Sequence, residues 1–146
     1  MRARCSALRQ PRDARASGLR LVACKGPTLT LGKEVCKYKF AQVADTVAAF
    51  TRDFSQAQQQ HLQRELDRIA VWLSSCPFEF IGSSILIAHD AHTTDIDSLH
   101  VKLIDFGHVE EASGEANAGN VLGVRTLQQI LQQCVQAAPP AAAAPQ

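Results

Sequence analysis

Two oxygen-bearing side chains in the second half of the chain stand at the ends of apolar, strand-like runs. Asp105 closes the strand-like run "HVKLI", and Ser84 opens the earlier run "SILIAHD". A carboxylate at the end of a buried strand is costly to dehydrate unless a cation or hydrogen-bond donors compensate it. Magnesium accepts one or two protein carboxylates and fills its octahedron with phosphate oxygens and water. Asp105 is therefore a candidate metal ligand in phosphoryl transfer, and the competing interpretation is that it caps the following turn.

The two runs predict a β-hairpin that positions these side chains. "FEFIGSSILIAHD" (78–90) and "LHVKLIDFG" (99–107) are typical of strands, and the polar segment between them is typical of a hairpin loop. A hairpin symmetric about the Thr94–Asp95 junction places Ser84 opposite Asp105. Directly opposed side chains have Cβ atoms roughly 4.5–5.5 Å apart. This register predicts that the hydroxyl and the carboxylate converge at the open end of the hairpin.

The remaining elements predict an α+β fold, in which helices pack on an antiparallel sheet. A short strand is expected over 18–24 and a lysine-rich turn or hairpin over 26–40. Three helices are expected over Gln42–Phe54, 56–76 and 120–136. In the second helix, Ser55 is the expected cap, Pro77 the expected stop, and Trp72 with the Leu/Ile stripe the expected core. We expect a disordered basic leader over 1–17, one domain over 18–136 and an Ala/Pro-rich tail over 137–146.

Charge is distributed unevenly along the chain. Residues 1–40 carry ten Lys or Arg against two acids, about +8, whereas residues 41–146 carry five against twelve, about −7. A basic head of this kind can meet phosphate, nucleic acid or lipid, but it is more often simply solvated. We expect no nucleic-acid partner.

Cysteine usage and hydropathy restrict the compartment. Five cysteines, with no C-x-x-C pair, favour reduced thiols in a cytoplasmic or nuclear protein over a disulfide framework. No apolar run approaches the roughly 18 residues of a membrane span, so no transmembrane segment is expected. The Arg-rich start is compatible with an organelle transit peptide or with a disordered leader.

The tripeptide Asp105-Phe106-Gly107 first suggests a protein kinase. That family needs an H-R-D-L-x-x-x-N loop upstream, in which the Asn stands five positions after the Asp. Here His89-Asp90 lacks the Arg, and the fifth position after Asp90 is Asp95. A protein kinase fragment is therefore the weakest of the interpretations, and it requires a catalytic loop over 90–95. A metal cluster of His89, Asp90 and His92 competes with a polar hairpin tip, which we favour.

A different family fits more of the chain. "FIGSSILIAHD", "VKLIDFGHV" and "GNVLGVRTLQQIL", in this order, resemble the C-terminal part of the inositol polyphosphate kinases, and "SGLRLVACKG" resembles their Leu-Gly-Phe-Arg segment. The resemblance covers residues 17–135. It implies the fold of that family's C-terminal lobe and a kinase that uses ATP and Mg²⁺ to phosphorylate an inositol polyphosphate.

The resemblance also implies roles for four residues. It places a metal ligand at Asp105, a metal and nucleotide contact at Ser84, and substrate-phosphate contacts at Lys39 and His108. Each has a plainer alternative: Ser84 can satisfy a buried backbone group, Lys39 can be a solvated lysine, and His108 can be an exposed loop histidine. Gly107-His108 lies between the Gly-Lys of the trisphosphate 3-kinases and the Ala-His of the multikinases, so the branch is open.

Departures from the family pattern leave two functions open. The signature P-x-x-x-D-x-K-x-G is absent from the 146 residues, so no catalytic residue is identified. Ala118-Gly119-Asn120 stands where many members have Asp-Gly-Tyr. The sequence predicts either an inositol phosphate kinase represented by an incomplete chain or a non-catalytic module that binds inositol phosphates or proteins. Regulation by calmodulin or another protein stays open.

Overall fold

The computed structural model describes residues 24–25, 30–32, 39–112 and 116–137. The predicted leader, most of the predicted strand over 18–24 and residues 138–146 of the predicted tail lie outside the described residues. The elements, in chain order, are β1 (Cys24–Lys25), β2 (Thr30–Leu31), α1 (Phe40–Phe50), α2 (Gln56–Ser75), β3 (Phe78–Phe80), β4 (Ser84–Ala88), a 3₁₀ helix (Ile96–Ser98), β5 (His100–Ile104), β6 (Val109–Glu111) and α3 (Ala118–Ala137).

Helix α1 begins two residues before the predicted start and ends four residues before the predicted end at Phe54. At its N-terminus, the Lys39 N–H donates to Gln42 Oε1 at 2.9 Å. The lysine side chain has no acceptor, so only this half of a reciprocal cap can form. The helix stops at Thr51, whose hydroxyl donates back to the Val47 carbonyl at 2.9 Å.

Helix α2 has the predicted cap and the predicted core stripe. Ser55 Oγ accepts from the Gln58 N–H at 3.2 Å, and Gln58 Oε1 accepts from the Ser55 N–H at 2.9 Å. This capping box satisfies N–H groups that have no partner inside the helix. Helix α2 packs along α3. The buried core consists mainly of apolar side chains from these two helices: Leu62, Leu66, Ala70, Leu73, Val124, Leu127 and Leu131.

Trp72 does not belong to this core, and that prediction is wrong. Its side chain remains 48% exposed, while its ring stacks on Phe80 with centroids 5.4 Å apart. Position 72 lies about 100° around the helix from the neighbouring core position Leu73, which points it away from α3. The helical stripe therefore forms the core without its largest apolar side chain.

The predicted long strand over 78–90 is in fact two strands with different partners. β3 pairs with β6 and β4 pairs with β5, both antiparallel. The break lies at Gly82, whose φ of +79° is a left-handed conformation that favours glycine. Within the described residues, no helix is long and apolar enough to cross a membrane.

The hairpin register differs by one residue from the predicted register. Ser84 lies opposite Ile104 rather than Asp105, and Ala88 lies opposite His100. The loop between the strands contains the 3₁₀ helix, where Asp95 Oδ1 accepts from the Asp97 N–H at 3.0 Å. The loop over residues 89–99 has an odd number of residues, so the hairpin is centred on Thr94 and not on the Thr94–Asp95 junction.

Candidate functional site

A cavity of about 770 Å³ lies between α1, the β4 strand and α3. Its walls are mostly apolar, with Val43 and Val47 contributed by α1, Ile85 and Ile87 by β4, and Val124 by α3. The volume is within the range of small-molecule sites, which are typically apolar with a few placed polar groups. Polar side chains gather where β4 begins.

Asp105 lies at this polar end, immediately after β5. Its φ of +65° takes the chain out of the strand conformation. A left-handed conformation is uncommon for residues other than glycine, but Asp and Asn tolerate it best. The side chain is exposed and lines the cavity. Its carboxylate is therefore accessible to a ligand in the cavity and is not sealed inside the core.

Ser84, the first residue of β4, lines the same cavity. The structure thus places Ser84 and Asp105 on the lining of one cavity, although they are not opposed residues of the hairpin as predicted. The left-handed turn at Asp105 follows Ile104, which is the residue opposite Ser84. The predicted roles of Ser84 and Asp105 as metal ligands stay predictions.

Three further residues at the cavity were not predicted to contribute. Cys24 and Lys25 from β1 line it, and so does Asn120 from the first turn of α3. Partial burial raises the pKa of the Cys24 thiol, which makes this group a poorer nucleophile at neutral pH. Lys25 could have been noticed in the sequence, since it directly follows the predicted strand over 18–24.

The far end of the β4 strand is closed by aromatic rings. The His89 ring packs edge-to-face on Phe50, with centroids 5.3 Å apart, and on Phe54, with centroids 4.6 Å apart. His89 and Phe50 also line the cavity. An imidazole between two phenyl rings is held by packing, so His89 here is part of an apolar wall.

The candidate metal cluster of His89, Asp90 and His92 is not formed. Asp90 Oδ1 accepts the His92 N–H at 2.9 Å, which is a local turn contact. Across the described part of the chain, no three His, Cys, Asp or Glu side chains gather as metal ligands. Residues 90–95 form the polar hairpin tip that we favoured, and not a protein-kinase catalytic loop.

Lys39 and His108 are exposed and are not among the described residues that line the cavity. Lys39 is the residue before α1, where its backbone N–H is used in the cap. His108 precedes β6, and its carbonyl accepts the Ile81 N–H at 3.0 Å. Their predicted contacts with substrate phosphate therefore stay predictions.

Asn117 holds the elements around the site together, and the sequence analysis missed it. Its side chain is 1% exposed and its φ is +61°. Oδ1 accepts from the Phe80 N–H at 2.9 Å, and Nδ2 donates to the Leu73 and Phe78 carbonyls at 3.2 and 2.7 Å. One amide thus joins the end of α2 to β3 at the start of α3.

Comparison with known proteins identifies the family. A family model of inositol polyphosphate kinases matches residues 14–132. The chain belongs to the inositol polyphosphate kinase family. This confirms the resemblance that the sequence motifs carry. No curated protein sequence matches the chain significantly.

A solved member of the family has a similar fold. The inositol phosphate multikinase Ipk2 of S. cerevisiae, crystallised with ADP and Mn²⁺, is 19% identical to this chain with a TM-score of 0.58. The match covers 86% of this chain and 60% of that protein. At this identity the likeness shows the fold alone, and it confirms the predicted α+β architecture of an inositol polyphosphate kinase.

Proposed function

We propose that the protein to which this chain belongs transfers the γ-phosphate of ATP to an inositol polyphosphate. Membership of the inositol polyphosphate kinase family gives the reaction class. The observation that carries the proposal to this chain is that Ser84 and Asp105 line one cavity of about 770 Å³. Ipk2, the similar solved structure, was crystallised with ADP and Mn²⁺.

Asp105 and Ser84 fit a divalent cation bound to nucleotide phosphates. Both supply hard oxygen atoms, and the Asp105 carboxylate makes no ion pair with a described residue. Mg²⁺ typically takes few protein ligands and completes its shell with phosphate oxygens and water. Bound there, the cation would neutralise phosphate charge, which is the main electrostatic requirement of phosphoryl transfer.

Among the described residues that line the cavity, Lys25 carries a positive charge, which complements the negative charge of Asp105. An ammonium group binds phosphate as a point charge. We assign it to the nucleotide phosphates, while Lys39 and His108, which lie outside the cavity, keep their proposed contacts with the inositol phosphate. The apolar walls would then exclude water from the reacting groups.

The test of the metal site measures Mn²⁺ binding to the chain by electron paramagnetic resonance, with and without ADP. Asp105→Asn should weaken Mn²⁺ binding in the presence of ADP by about tenfold or more, because a charged ligand is lost. Asp97→Asn is the matched control, since Asp97 is an exposed carboxylate of the hairpin loop. Equal affinities in the two variants would remove Asp105 from the site.

A binding module is the second candidate, because the P-x-x-x-D-x-K-x-G segment is not in the 146 residues. Calorimetric titration with inositol trisphosphate and with Mn²⁺–ADP distinguishes the two functions. A kinase site binds both and shows coupling between them. Inositol phosphate binding that is unaffected by nucleotide, metal or Asp105→Asn would support the module instead.

A further inference from the structure

The amide of Asn120, at the lining of the cavity, is held by two hydrogen bonds. Its Nδ2 donates to the Phe80 carbonyl at 2.8 Å and to Asn117 Oδ1 at 3.1 Å. Asn117 Oδ1 also accepts the Phe80 N–H at 2.9 Å, which identifies it as an oxygen. An atom that contacts two oxygen acceptors at these distances must be the amide nitrogen, because only that atom has two N–H donors. Both donors of Asn120 are therefore used, and its orientation is set by β3.

The other atom of this amide, Asn120 Oδ1, makes no hydrogen bond with a described residue. In the part of the chain that the structure describes, every buried side-chain oxygen or nitrogen has a hydrogen-bond partner. Since Oδ1 has none, it is accessible rather than buried. Asn120 is half-buried and lines the cavity. An acceptor oxygen with a fixed orientation is thus available to a ligand there.

Asn120 belongs to the polar end of the cavity. Among the α3 residues that line it, Asn120 is the first along the helix. Phe80, whose carbonyl it binds, precedes Ser84 by four residues, and four residues span at most about 14 Å. The Phe80 ring also meets the ring of Phe106, the residue after Asp105, with centroids 5.5 Å apart. Asn120 therefore lies at the same end of the cavity as the two proposed metal ligands.

The chemistry of an amide oxygen limits the groups that it can bind. Phosphate oxygens are hydrogen-bond acceptors, so they offer nothing to a second acceptor. A divalent cation is a less suitable partner, because Mg²⁺ typically takes few protein ligands and Asp105 and Ser84 already supply two oxygen atoms. A hydroxyl group can donate to the amide oxygen. Two polyols of the proposed reaction carry hydroxyl groups, namely the ribose of the nucleotide and the inositol ring.

We propose that Asn120 Oδ1 accepts a hydrogen bond from a hydroxyl group of a bound polyol, which is the nucleotide ribose or the inositol ring. The inference rests on the proposed function, since that function brings both polyols to the cavity. A protein oxygen that is held in place before the ligand arrives selects for the hydroxyl group, because a ligand without that group leaves the oxygen unpaired. Asn120 is therefore a specificity-determining residue of the site.

The probes for this contact are ligands that lack one hydroxyl group. Calorimetric titration of the chain compares Mn²⁺–ADP with Mn²⁺–2′-deoxy-ADP and Mn²⁺–3′-deoxy-ADP. It also compares inositol trisphosphate with analogues that each lack one free hydroxyl group. One analogue should bind about tenfold more weakly than the unmodified ligand, as expected for the loss of one hydrogen bond. The series in which this loss occurs distinguishes ribose from inositol as the source of the hydroxyl group.

Variants then assign the lost hydrogen bond to Asn120. Asn120→Ala should bind the unmodified ligand about tenfold more weakly and should bind the analogue equally well, since the variant has no Oδ1 to lose. Asn120→Leu, which fills the volume of the amide, should give the same result and serves if the alanine variant is unstable. Gln63→Ala is the matched control, because it removes a half-buried amide that donates to the Gln128 carbonyl at 3.1 Å and does not line the cavity. This control should keep the tenfold preference for the unmodified ligand.

The proposal is overturned if every analogue binds the unsubstituted chain as tightly as the unmodified ligand does. It is also overturned if the preference survives in both Asn120 variants or is lost in Gln63→Ala. Equal weakening of Mn²⁺ binding with every analogue in the Asn120 variants would assign Oδ1 to the cation. Absence of binding of both Mn²⁺–ADP and inositol trisphosphate to the unsubstituted chain would overturn the proposed function together with this inference. Binding that Asp105→Asn leaves unchanged would overturn the metal site alone, and the analogue series would still decide the role of Asn120.

Discussion

Asp105 combines an uncommon backbone conformation with an accessible carboxylate. Its φ is +65°, and Ile104 immediately before it is the last residue of β5. Asp and Asn tolerate the left-handed region better than other side chains with a Cβ. The turn alone therefore explains an Asp at position 105 equally well as metal binding does. Stability and metal binding must therefore be measured on the same set of variants.

The backbone requirement at Asp105 predicts an ordered series of stabilities. Asp105→Ala should lower the free energy of unfolding by about 1 kcal/mol, because an alanine Cβ is strained at positive φ. Asp105→Asn and Asp105→Gly should stay within about 0.5 kcal/mol of the parent, since both residues accept this conformation. Urea unfolding followed by circular dichroism measures the series, and an alanine variant as stable as the glycine variant would contradict it.

At the scale of elements, the hairpin register shows what the sequence could not decide. The observed register places Ile85 opposite Leu103 and Ile87 opposite Val101, which makes one face of the hairpin uniformly apolar. The predicted register would have placed Lys102 opposite Ile87 on that face. A shift of one residue moves every side chain of a strand to the other face. The predicted register also makes one apolar face, with Leu86 opposite Leu103 and Ala88 opposite Val101, so the hydrophobic pattern alone does not decide between the two registers.

The ends of elements were harder to predict. Ser55 was recognisable as a cap because its capping box is local in sequence, and the position of Pro77 agrees with the end of α2. The role of Asn117 depends on carbonyls of Leu73 and Phe78, which are distant in sequence. No periodicity indicates such contacts. The split of the 78–90 run likewise depends on β6, a strand with three exposed residues and no apolar alternation.

Asn117 should be a main determinant of how α2, β3 and α3 are joined. Asn117→Ala removes partners from two carbonyls and one N–H and places a Cβ-bearing residue at φ +61°, so unfolding should become easier by about 3 kcal/mol. Asn117→Gly loses the same hydrogen bonds without the strain and should recover about 1 kcal/mol of this loss. Chemical denaturation measures both variants, and a loss under about 1 kcal/mol in the alanine variant would show that water replaces the amide.

For the whole molecule, the fold class and the family were predictable from the sequence, whereas the roles given to the site residues stay predictions. Short motifs in order along the chain identify the family and name Ser84 and Asp105, which the structure places on the lining of one cavity. Asn120 and the apolar wall around His89 were not predicted from the motifs, since they reach the cavity only through the packing of α1 and α3. The exposed Trp72 shows the same limit, because helical periodicity does not say which apolar side chain is left outside the core.

The cavity and the core make separate contributions to the stability of the whole molecule, and ligand binding can separate them. A ligand that binds only the folded state stabilises it by about 2.7 kcal/mol at one hundred times its Kd. For a chain of this size, Mn²⁺–ADP at that concentration should raise Tm by about 5–10 °C, and EDTA should remove the metal-dependent part. Calorimetry on three variants then shows whether this ligand-induced rise in Tm depends on the cavity or on the core.

Leu66→Val changes a fully buried core residue that does not line the cavity. It should lower the Tm of the ligand-free chain (the base Tm), because the free energy of unfolding falls by about 1 kcal/mol. The rise in Tm caused by Mn²⁺–ADP (the increment) should be unchanged. Asp105→Asn should keep the base Tm and lose most of the increment, because it removes charge from the cavity without disturbing the turn. Leu122→Val, at a position 47% exposed on α3, should change neither quantity. If Asp105→Asn retains the full increment while Mn²⁺ is required for it, the cation is bound elsewhere and the cavity is not the nucleotide site.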